Sequence, residues 1–291
     1  MRRALLLFVV AVASWARADD ARRSGFDFMS PGTQAMQRDD MQNPGMLWVQ
    51  DGEALWNAKA GARDQSCASC HGDAATSMRG VAARYPAFDA AQGMPLTLGQ
   101  RIDTCRQKHQ GGTALAPESR ELLSLEAFVA LQSRGMPIAP PDDPRLQPFR
   151  ELGRQWFEKR IGQLNFSCAQ CHADNAGQRL GGSVIPEAHP TGYPIYRLEW
   201  QDMGSLQRRL RGCMSGVRAE PYPYDAQELV EIEAYLAQRA AGLKIETPAV
   251  GPYRRAVRTA ASSGTTSAAS SRTSPRPLRS GSRSRCSRRR T

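Results

Sequence analysis

The feature that most constrains this chain is a pair of C-x-x-C-H motifs, "CASCH" at residues 67–71 and "CAQCH" at residues 168–172. C-x-x-C-H is the attachment signal of c-type haem. Its two thiols bond to the haem vinyl groups, and the adjacent histidine then lies under the iron as an axial ligand. A zinc site is disfavoured because only His109 and His189 remain outside the motifs. We therefore predict two covalent haems, with Cys67, Cys70, Cys168 and Cys171 as anchors and His71 and His172 as iron ligands.

The two motifs belong to a longer internal repeat. Gly52 and Gly153 each lie 15 residues before the first cysteine of a motif. The repeat continues downstream, where "TLGQRIDTC" (97–105) aligns with "SLQRRLRGC" (205–213) and "ELLSLEAFVAL" (121–131) aligns with "ELVEIEAYLAQ" (228–238). Each half is then predicted to be a helix, a haem motif, a loop, a short helix with one cysteine, and a closing helix.

The pattern of apolar residues favours helices. In the closing segments 121–131 and 228–238, apolar residues recur at i, i+3 and i+7, which places them on one helical face. Thr97 and Ser205 are predicted N-caps, and Asp225 is predicted to open the last helix in a capping box. Alternating strand patterns are scarce. The predicted fold class is all-α with long loops, since haem supplies much of the core.

The duplication predicts two tandem domains, a first at 19–140 with an N-terminal extension and a second at 141–250.

The two ends of the chain have different compositions. Residues 1–18 combine two arginines, a short apolar run and Ala-Arg-Ala, the pattern of a secretory signal, so export is expected. Residues 251–291 contain eleven arginines and no acidic residue, and we predict a disordered tail there. Without that tail the net charge of +11 disappears, so neither nucleic acid nor a membrane is an expected partner.

A c-type haem iron has a second axial position, and the repeat nominates its ligand in each half. Cys105 and Cys213 occupy matching places, each on the apolar face of a short helix, and are predicted to be distal ligands. A buried structural thiol and a Cys105–Cys213 disulfide remain alternatives. His109 is a rival ligand in the first half, whereas His189 is expected to fasten a loop. Methionine rivals are Met78, Met94 and Met136 in the first half and Met203 and Met214 in the second.

Positive charge distinguishes the two lone cysteines. Arg209 lies one helical turn before Cys213, and Arg101 holds the same place before Cys105. The second half adds further arginines at 208, 211 and 218. Positive charge stabilises a thiolate, and guanidinium groups form forked, charge-assisted bonds to oxyanions. This pattern indicates an anionic substrate brought to a thiolate beside a haem.

These residues resemble a known family. The two haem motifs, "HPTGYPIYRLEW" (189–200) and "GSLQRRLRGCMSGVRAEPY" (204–222) are similar to SoxA, the dihaem subunit of the SoxAX cytochrome of sulfur-oxidising bacteria. The resemblance covers roughly residues 40–245 and implies two cytochrome c-like domains. It implies an L-cysteine S-thiosulfotransferase, which joins thiosulfate oxidatively to a cysteine of the carrier SoxYZ.

The same resemblance implies roles for individual residues. Cys213 is the distal ligand of the second haem and the catalytic cysteine, carried as a persulfide, and Cys105 is the distal ligand of the first haem. Arg209 matches the substrate-binding arginine. The expected partners are the monohaem cytochrome SoxX in a heterodimer and a soluble cytochrome c that accepts the electrons, all in the periplasm.

Two other functions fit the motifs. The main alternative is a dihaem electron-transfer cytochrome in which Cys213 only sets a low reduction potential. A dihaem peroxidase is a third hypothesis, but it needs an open distal position, and the paired cysteines Cys105 and Cys213 argue against one.

Overall fold

The computed structural model describes residues 21–251 and is mostly helical. The predicted signal segment 1–18 lies outside the described residues, as does the predicted tail after Gly251. The helices are α1 Pro31–Arg38, α2 Met46–Asn57, α3 Cys67–His71, α4 Ala74–Ser77, α5 Leu98–Cys105, α6 Arg120–Leu131, α7 Gln147–Glu158, α8 Cys168–His172, α9 Leu206–Gly216 and α10 Gln227–Arg239. The strands are β1 Ala87–Asp89, β2 Met94–Leu96, β3 Arg179–Leu180, β4 Ser183–Val184, β5 Ile195–Arg197, β6 Asp202–Gly204 and β7 Ala249–Gly251.

The first half of the repeat runs from α2 to α6 and the second from α7 to α10. Each half is built on one helix pair, α2 with α6 and α7 with α10. A glycine lets the helices of each pair approach closely, because a Cβ on Gly52 would lie 2.1 Å from the Ser124 carbonyl oxygen and one on Gly153 would lie 2.0 Å from that of Glu231. The two glycines noted in the sequence therefore mark the same helix crossing in both halves.

The expectation of an all-α chain is wrong in one respect, because the described residues also form three small sheets. Strand β1 pairs antiparallel with β2, β3 with β4, and β5 lies between antiparallel β6 and parallel β7. The β1–β2 hairpin leads directly into α5, and the β5–β6 hairpin leads directly into α9. Strand pairing satisfies backbone groups that an irregular loop at these places would leave without partners.

The helices that follow the hairpins begin as predicted. The Thr97 hydroxyl accepts a hydrogen bond from the Gln100 N–H at the start of α5, and Ser205 accepts one from the Arg208 N–H at the start of α9. The predicted capping box at Asp225 is wrong. Helix α10 has Ala226 as its N-cap, with no side-chain cap, while Asp225 has a left-handed backbone with φ of 63°.

A cavity of about 280 Å³ lies where the two halves meet, and residues of both halves line it. Glu126 of α6 and Glu233 of α10 hold equivalent places in the repeat and both face this cavity. Burial raises the pKa of each carboxyl to about 8, with neighbouring acidic groups adding to the rise. The cavity lining contains none of the C-x-x-C-H residues, so it is a feature of the junction rather than of either haem motif.

The described residues all belong to one compact unit, so the predicted domain boundary near residue 140 stays a prediction. Segment 134–148 connects the halves and is tied to the end of the second, where the Ile138 N–H donates to the Leu243 carbonyl at 2.8 Å. Within residues 21–251, no helix combines the length and apolar character needed to cross a membrane.

Candidate functional site

Both C-x-x-C-H motifs fold into the same short helix. Helix α3 begins after Ser66 and α8 begins after Ser167, and each serine accepts a backbone hydrogen bond in a capping box. The residue three positions later closes each box, Ser69 in the first motif and Gln170 in the second. This local geometry places the two cysteines of each motif one turn apart, as attachment to one haem requires.

The second motif faces the predicted distal cysteine. His172 Nδ1 donates to the Pro186 carbonyl at 2.6 Å, and the imidazole lies close enough to Cys213 to lower the pKa of its thiol. Since Nδ1 is engaged by Pro186, Nε2 is the nitrogen that remains to interact with the thiol. A backbone carbonyl on Nδ1 is the usual device that fixes the tautomer of a metal-ligating histidine. The segment between β4 and β5 supplies that carbonyl.

The charges around Cys213 favour its thiolate. Burial by itself would raise the pKa of the Cys213 thiol, but the hydrogen bond with His172 and the charge of Arg209 outweigh it. The pKa of Cys213 therefore lies below its ordinary value, as expected of a thiol that acts as a nucleophile or a metal ligand.

The first half repeats the arrangement with a different electrostatic outcome. Cys105 lies at the end of α5, within electrostatic range of Cys70, and Gln110 donates to Cys67 Sγ at 3.6 Å. Burial raises the pKa of the Cys105 thiol, and the nearby Arg101 and Lys108 do not compensate. The His71 ring packs 5.7 Å from the ring of Trp56.

The arginines near Cys213 are not equivalent. Arg208 is engaged on the hairpin, with its guanidinium 3.2 Å from Asp202 and stacked 4.4 Å from the ring of Trp200. Arg211 stacks 4.4 Å from the ring of Tyr224. Arg209 interacts electrostatically with Cys213 and also with Glu199, and it forms no ion pair with any residue that the structure describes. Arg211 likewise has no ion pair among the described residues, so the proximity of Arg209 to Cys213 is what favours Arg209 as the cation for an anion.

Rival ligands fall in other environments. No disulfide joins Cys105 and Cys213, which are both free thiols. His189 is buried and donates from Nδ1 to the Arg23 carbonyl at 2.8 Å, so it fastens a loop to the N-terminal extension as expected. His109 is exposed, on a π-helical turn. Met203 and Met214 are buried within the apolar core clusters.

Sequence reasoning missed two contributors to the site. Pro186 supplies the carbonyl that orients His172, and Arg197 at the end of β5 places a second guanidinium within electrostatic range of Cys213 and Arg209. Extending the repeat upstream from "SLQRRLRGC" would have aligned Arg197 with Asp89 and drawn attention to it. No comparable sequence signal marks Pro186.

The donor set suits c-type haem. Each half offers two thiols one turn apart, a histidine that follows them, and a lone cysteine near the motif, all beside an apolar cluster. In the second half the histidine and the lone cysteine lie near each other, so both would be available to hold one haem iron.

Comparison with known proteins decides the family. The family model described as "SoxA/TsdA, cytochrome c domain" matches residues 51–138 and 152–245, which contain both haem motifs and both lone cysteines. This chain belongs to that family. Membership confirms covalently bound c-type haem and a cytochrome c-like fold in two domains.

Named relatives agree. The L-cysteine S-thiosulfotransferase subunit SoxA of Pseudaminobacter salicylatoxidans is 38% identical over 232 residues, covering 79% of this chain and 81% of the relative. The subunit of the same name from Rhodovulum sulfidophilum is 33% identical over 231 residues, covering 79% and 80%. The crystal structure of SoxXA from P. pantotrophus superposes with a TM-score of 0.76 at 33% identity, covering 79% of this chain and 86% of that one.

Proposed function

We propose that this chain is the dihaem SoxA subunit of an L-cysteine S-thiosulfotransferase, which conjugates thiosulfate to a cysteine of a carrier protein. The observation that carries the proposal is the environment of Cys213, a thiol that lies near His172 and near Arg209, an arginine that forms no ion pair within residues 21–251. A thiolate, a cation for an oxyanion and a nearby haem motif are the three elements that oxidative sulfur transfer needs.

Each residue has a distinct task in this proposal. Cys168 and Cys171 would anchor the second haem and His172 and Cys213 would hold its iron, whereas Cys67, Cys70, His71 and Cys105 would hold the first haem. Haem, when bound, would supply an electron acceptor for the oxidation. Arg209 binds the sulfonate end of thiosulfate and so directs the sulfane sulfur toward Cys213. A persulfide on Cys213 would leave its outer sulfur available for reaction.

The overall conversion balances. A carrier thiol and thiosulfate form one S–S bond, giving a carrier S-thiosulfonate (–S–S–SO3−), one proton and two electrons. Both sulfur atoms that join contribute to the oxidation, since no bond of the sulfonate group breaks. The two electrons must leave the site, which is the reason the reaction needs a redox partner as well as a cation.

The partners follow from the same function. We propose SoxX as the monohaem partner in a heterodimer, in keeping with the SoxXA complex named in the structural relative. SoxYZ is the proposed carrier and a soluble cytochrome c the proposed acceptor. Residues 1–18 direct the chain to the periplasm, where these reactions take place.

The alternative is a dihaem cytochrome that only transfers electrons. In that case Cys213 is a ligand and nothing more, and sulfur never becomes attached to it. The two functions therefore differ in the covalent state of Cys213 and in whether thiosulfate is consumed.

The deciding experiment combines mass spectrometry with turnover. The purified full chain with its haems is digested before and after incubation with thiosulfate, and the Cys213 peptide is weighed. The thiosulfotransferase predicts an extra sulfur on Cys213 and thiosulfate-dependent modification of a carrier cysteine. An unmodified Cys213 and no carrier product, in a protein that still exchanges electrons with cytochrome c, would establish the alternative.

A further inference from the structure

The two halves can be superposed residue by residue along the hairpin and the cysteine helix. With an offset of 108, β1–β2–α5 aligns with β5–β6–α9 without a gap. The strand registers agree, because Asp89 pairs with Met94 in the first hairpin and Arg197 pairs with Asp202 in the second. Asp89 and Arg197 therefore occupy the same position of the repeat, a carboxylate in one half and a guanidinium in the other.

In the first half, the carboxylate neutralises the arginine that precedes the cysteine. Arg101 donates to Asp89 Oδ2 at 2.5 Å, and the Asp89 side chain is only 8% exposed. The other carboxylate oxygen accepts the backbone N–H groups of Ala91 and Gln92, each at 2.9 Å. Asp89 is thus held in place by the hairpin turn, and Arg101 is not available to a ligand.

In the second half, Arg197 replaces that carboxylate, and Arg209, the equivalent of Arg101, has no ion-pair partner among the described residues. The Arg197 side chain is only 11% exposed and donates to Glu199 at 3.1 Å. Its Nε–H has no hydrogen-bond partner in the described part of the chain. Arg197 and Arg209 both lie within electrostatic range of Cys213, and Glu199, which pairs with Arg197, is a carboxylate within range of both. The Asp89 carboxylate that pairs with Arg101 in the first half thus has no counterpart on Arg209.

The fold keeps Arg197 in this position. Its guanidinium stacks on the ring of Trp200 at 5.0 Å, and its aliphatic stem lies over Gly251, where a Cβ would come within 2.8 Å of Arg197 Cγ. Stacking, a neighbouring strand and the bond to Glu199 limit the side chain to one orientation. Arg150 and Arg239 also have a buried Nε–H without a partner among the described residues, so it is the position of Arg197 near Cys213 and Arg209, more than the unpaired donor, that makes it suited to bind an anion.

We propose that Arg197 is a second anion-binding residue of the Cys213 site. The first half has Asp89 at the equivalent position, so the second half can bind an anionic substrate and the first half cannot. The nature of the anion, a small dianion with a sulfonate group, rests on the proposed function. A dianion fits because Arg197 and Arg209 each provide a full positive charge and forked donors.

The test measures binding directly. Thiosulfate is titrated calorimetrically into the full haem-loaded chain, purified with the cytochrome partner that accompanies it, for the wild type and for Arg197→Asp, Arg197→Gln and Arg197→Lys. Arg197→Asp rebuilds the first-half ion pair with Arg209, so the Kd is expected to rise on the order of 100-fold. Arg197→Gln is expected to raise the Kd roughly 10-fold or more, and Arg197→Lys less than Arg197→Gln.

Two controls separate binding from folding. Arg79→Asp makes the same charge change at an exposed site in the first half and should leave the Kd unchanged. Haem absorption and the midpoint of thermal unfolding report whether each variant is folded, and Arg197→Gln decides the matter if Arg197→Asp does not fold. In turnover, loss of anion binding raises KM with kcat retained at saturation, whereas a merely structural role lowers kcat and stability together.

The outcomes distinguish this inference from the proposed function. If the wild type conjugates thiosulfate, and Arg197→Gln and Arg197→Lys bind it as tightly as the wild type does, the proposed role of Arg197 is wrong and the proposed function stands. A wild type that binds thiosulfate through Arg197 but never modifies a carrier thiol supports the anion site and overturns the function. A wild type that binds no thiosulfate overturns both.

Discussion

The two halves of this protein share one plan and differ in what surrounds the lone cysteine. Both have a glycine at the helix crossing, a capped C-x-x-C-H helix and a hairpin that leads into the cysteine helix. Burial raises the pKa of Cys105, whereas that of Cys213 lies below its ordinary value because His172 and Arg209 outweigh burial. Duplication thus preserved the scaffold and changed the charges, so one half can specialise in chemistry.

The largest difference between the halves is expected on replacing the two cysteines. Cys213→Ser should lower conjugation of thiosulfate at least about 1,000-fold, because it removes the proposed nucleophile. Cys105→Ser should leave most of the turnover, because Arg101 beside that thiol is already paired with Asp89. Steady-state assays of both variants with the carrier measure this, after absorption spectra confirm that both haems are attached. Equal losses in the two variants would contradict the assignment of catalysis to the second half.

Replacing the equivalent arginines Arg209 and Arg101 should have different effects. Arg209→Gln is expected to raise KM for thiosulfate roughly 10- to 100-fold, because a charge-assisted bond to the substrate is lost. Arg101→Gln should leave KM unchanged but lower the midpoint of chemical denaturation, since Asp89 loses its partner. Kinetics and denaturation curves on the same two preparations compare them. A KM effect from Arg101→Gln would remove the contrast between the halves.

Replacing the glycine at either helix crossing should lower the free energy of unfolding by a similar amount, because the two helix pairs pack in the same way. Gly52→Ala and Gly153→Ala should each lower the free energy of unfolding by roughly 1–3 kcal/mol, because the added Cβ would collide with a backbone oxygen. Urea denaturation of both variants provides the values. If only one variant is destabilised, the two helix pairs do not have the same packing.

The last expected effect concerns the acids at the junction and the pH dependence of stability. Since the pKa of both Glu126 and Glu233 is raised to about 8, the folded chain holds protons that the unfolded chain releases. Stability should then be greatest below the ordinary glutamate pKa and should fall as pH rises toward about 8, because each pKa unit of difference corresponds to about 1.4 kcal/mol. Glu126→Gln or Glu233→Gln should flatten the decline measured between about pH 5 and about pH 8. If both variants have the same pH profile of stability as the wild type, Glu126 and Glu233 do not cause the decline.

Several features followed from the sequence alone because they depend on neighbours along the chain. The C-x-x-C-H motifs fix the haem chemistry through covalent bonds between adjacent residues, and Thr97 and Ser205 cap the helices that follow them. The offset between the halves identified Cys105 and Cys213 as equivalent. Helical spacing likewise predicted the closing helices, since periodicity is local.

Other features depended on which side chains meet across the fold. Local pattern suggested Asp225 as a cap, but its left-handed backbone and its contact with Gln100 of the other half exclude that role. The hairpins were not predicted, because three-residue strands carry too few residues to show an alternating pattern. Nor could composition show which arginine of the second half is unpaired. Arg101 pairs with Asp89 in the first half, and Arg197 takes the position of Asp89 in the second. Strand register and distances through space decide this, and only the tertiary structure provides them.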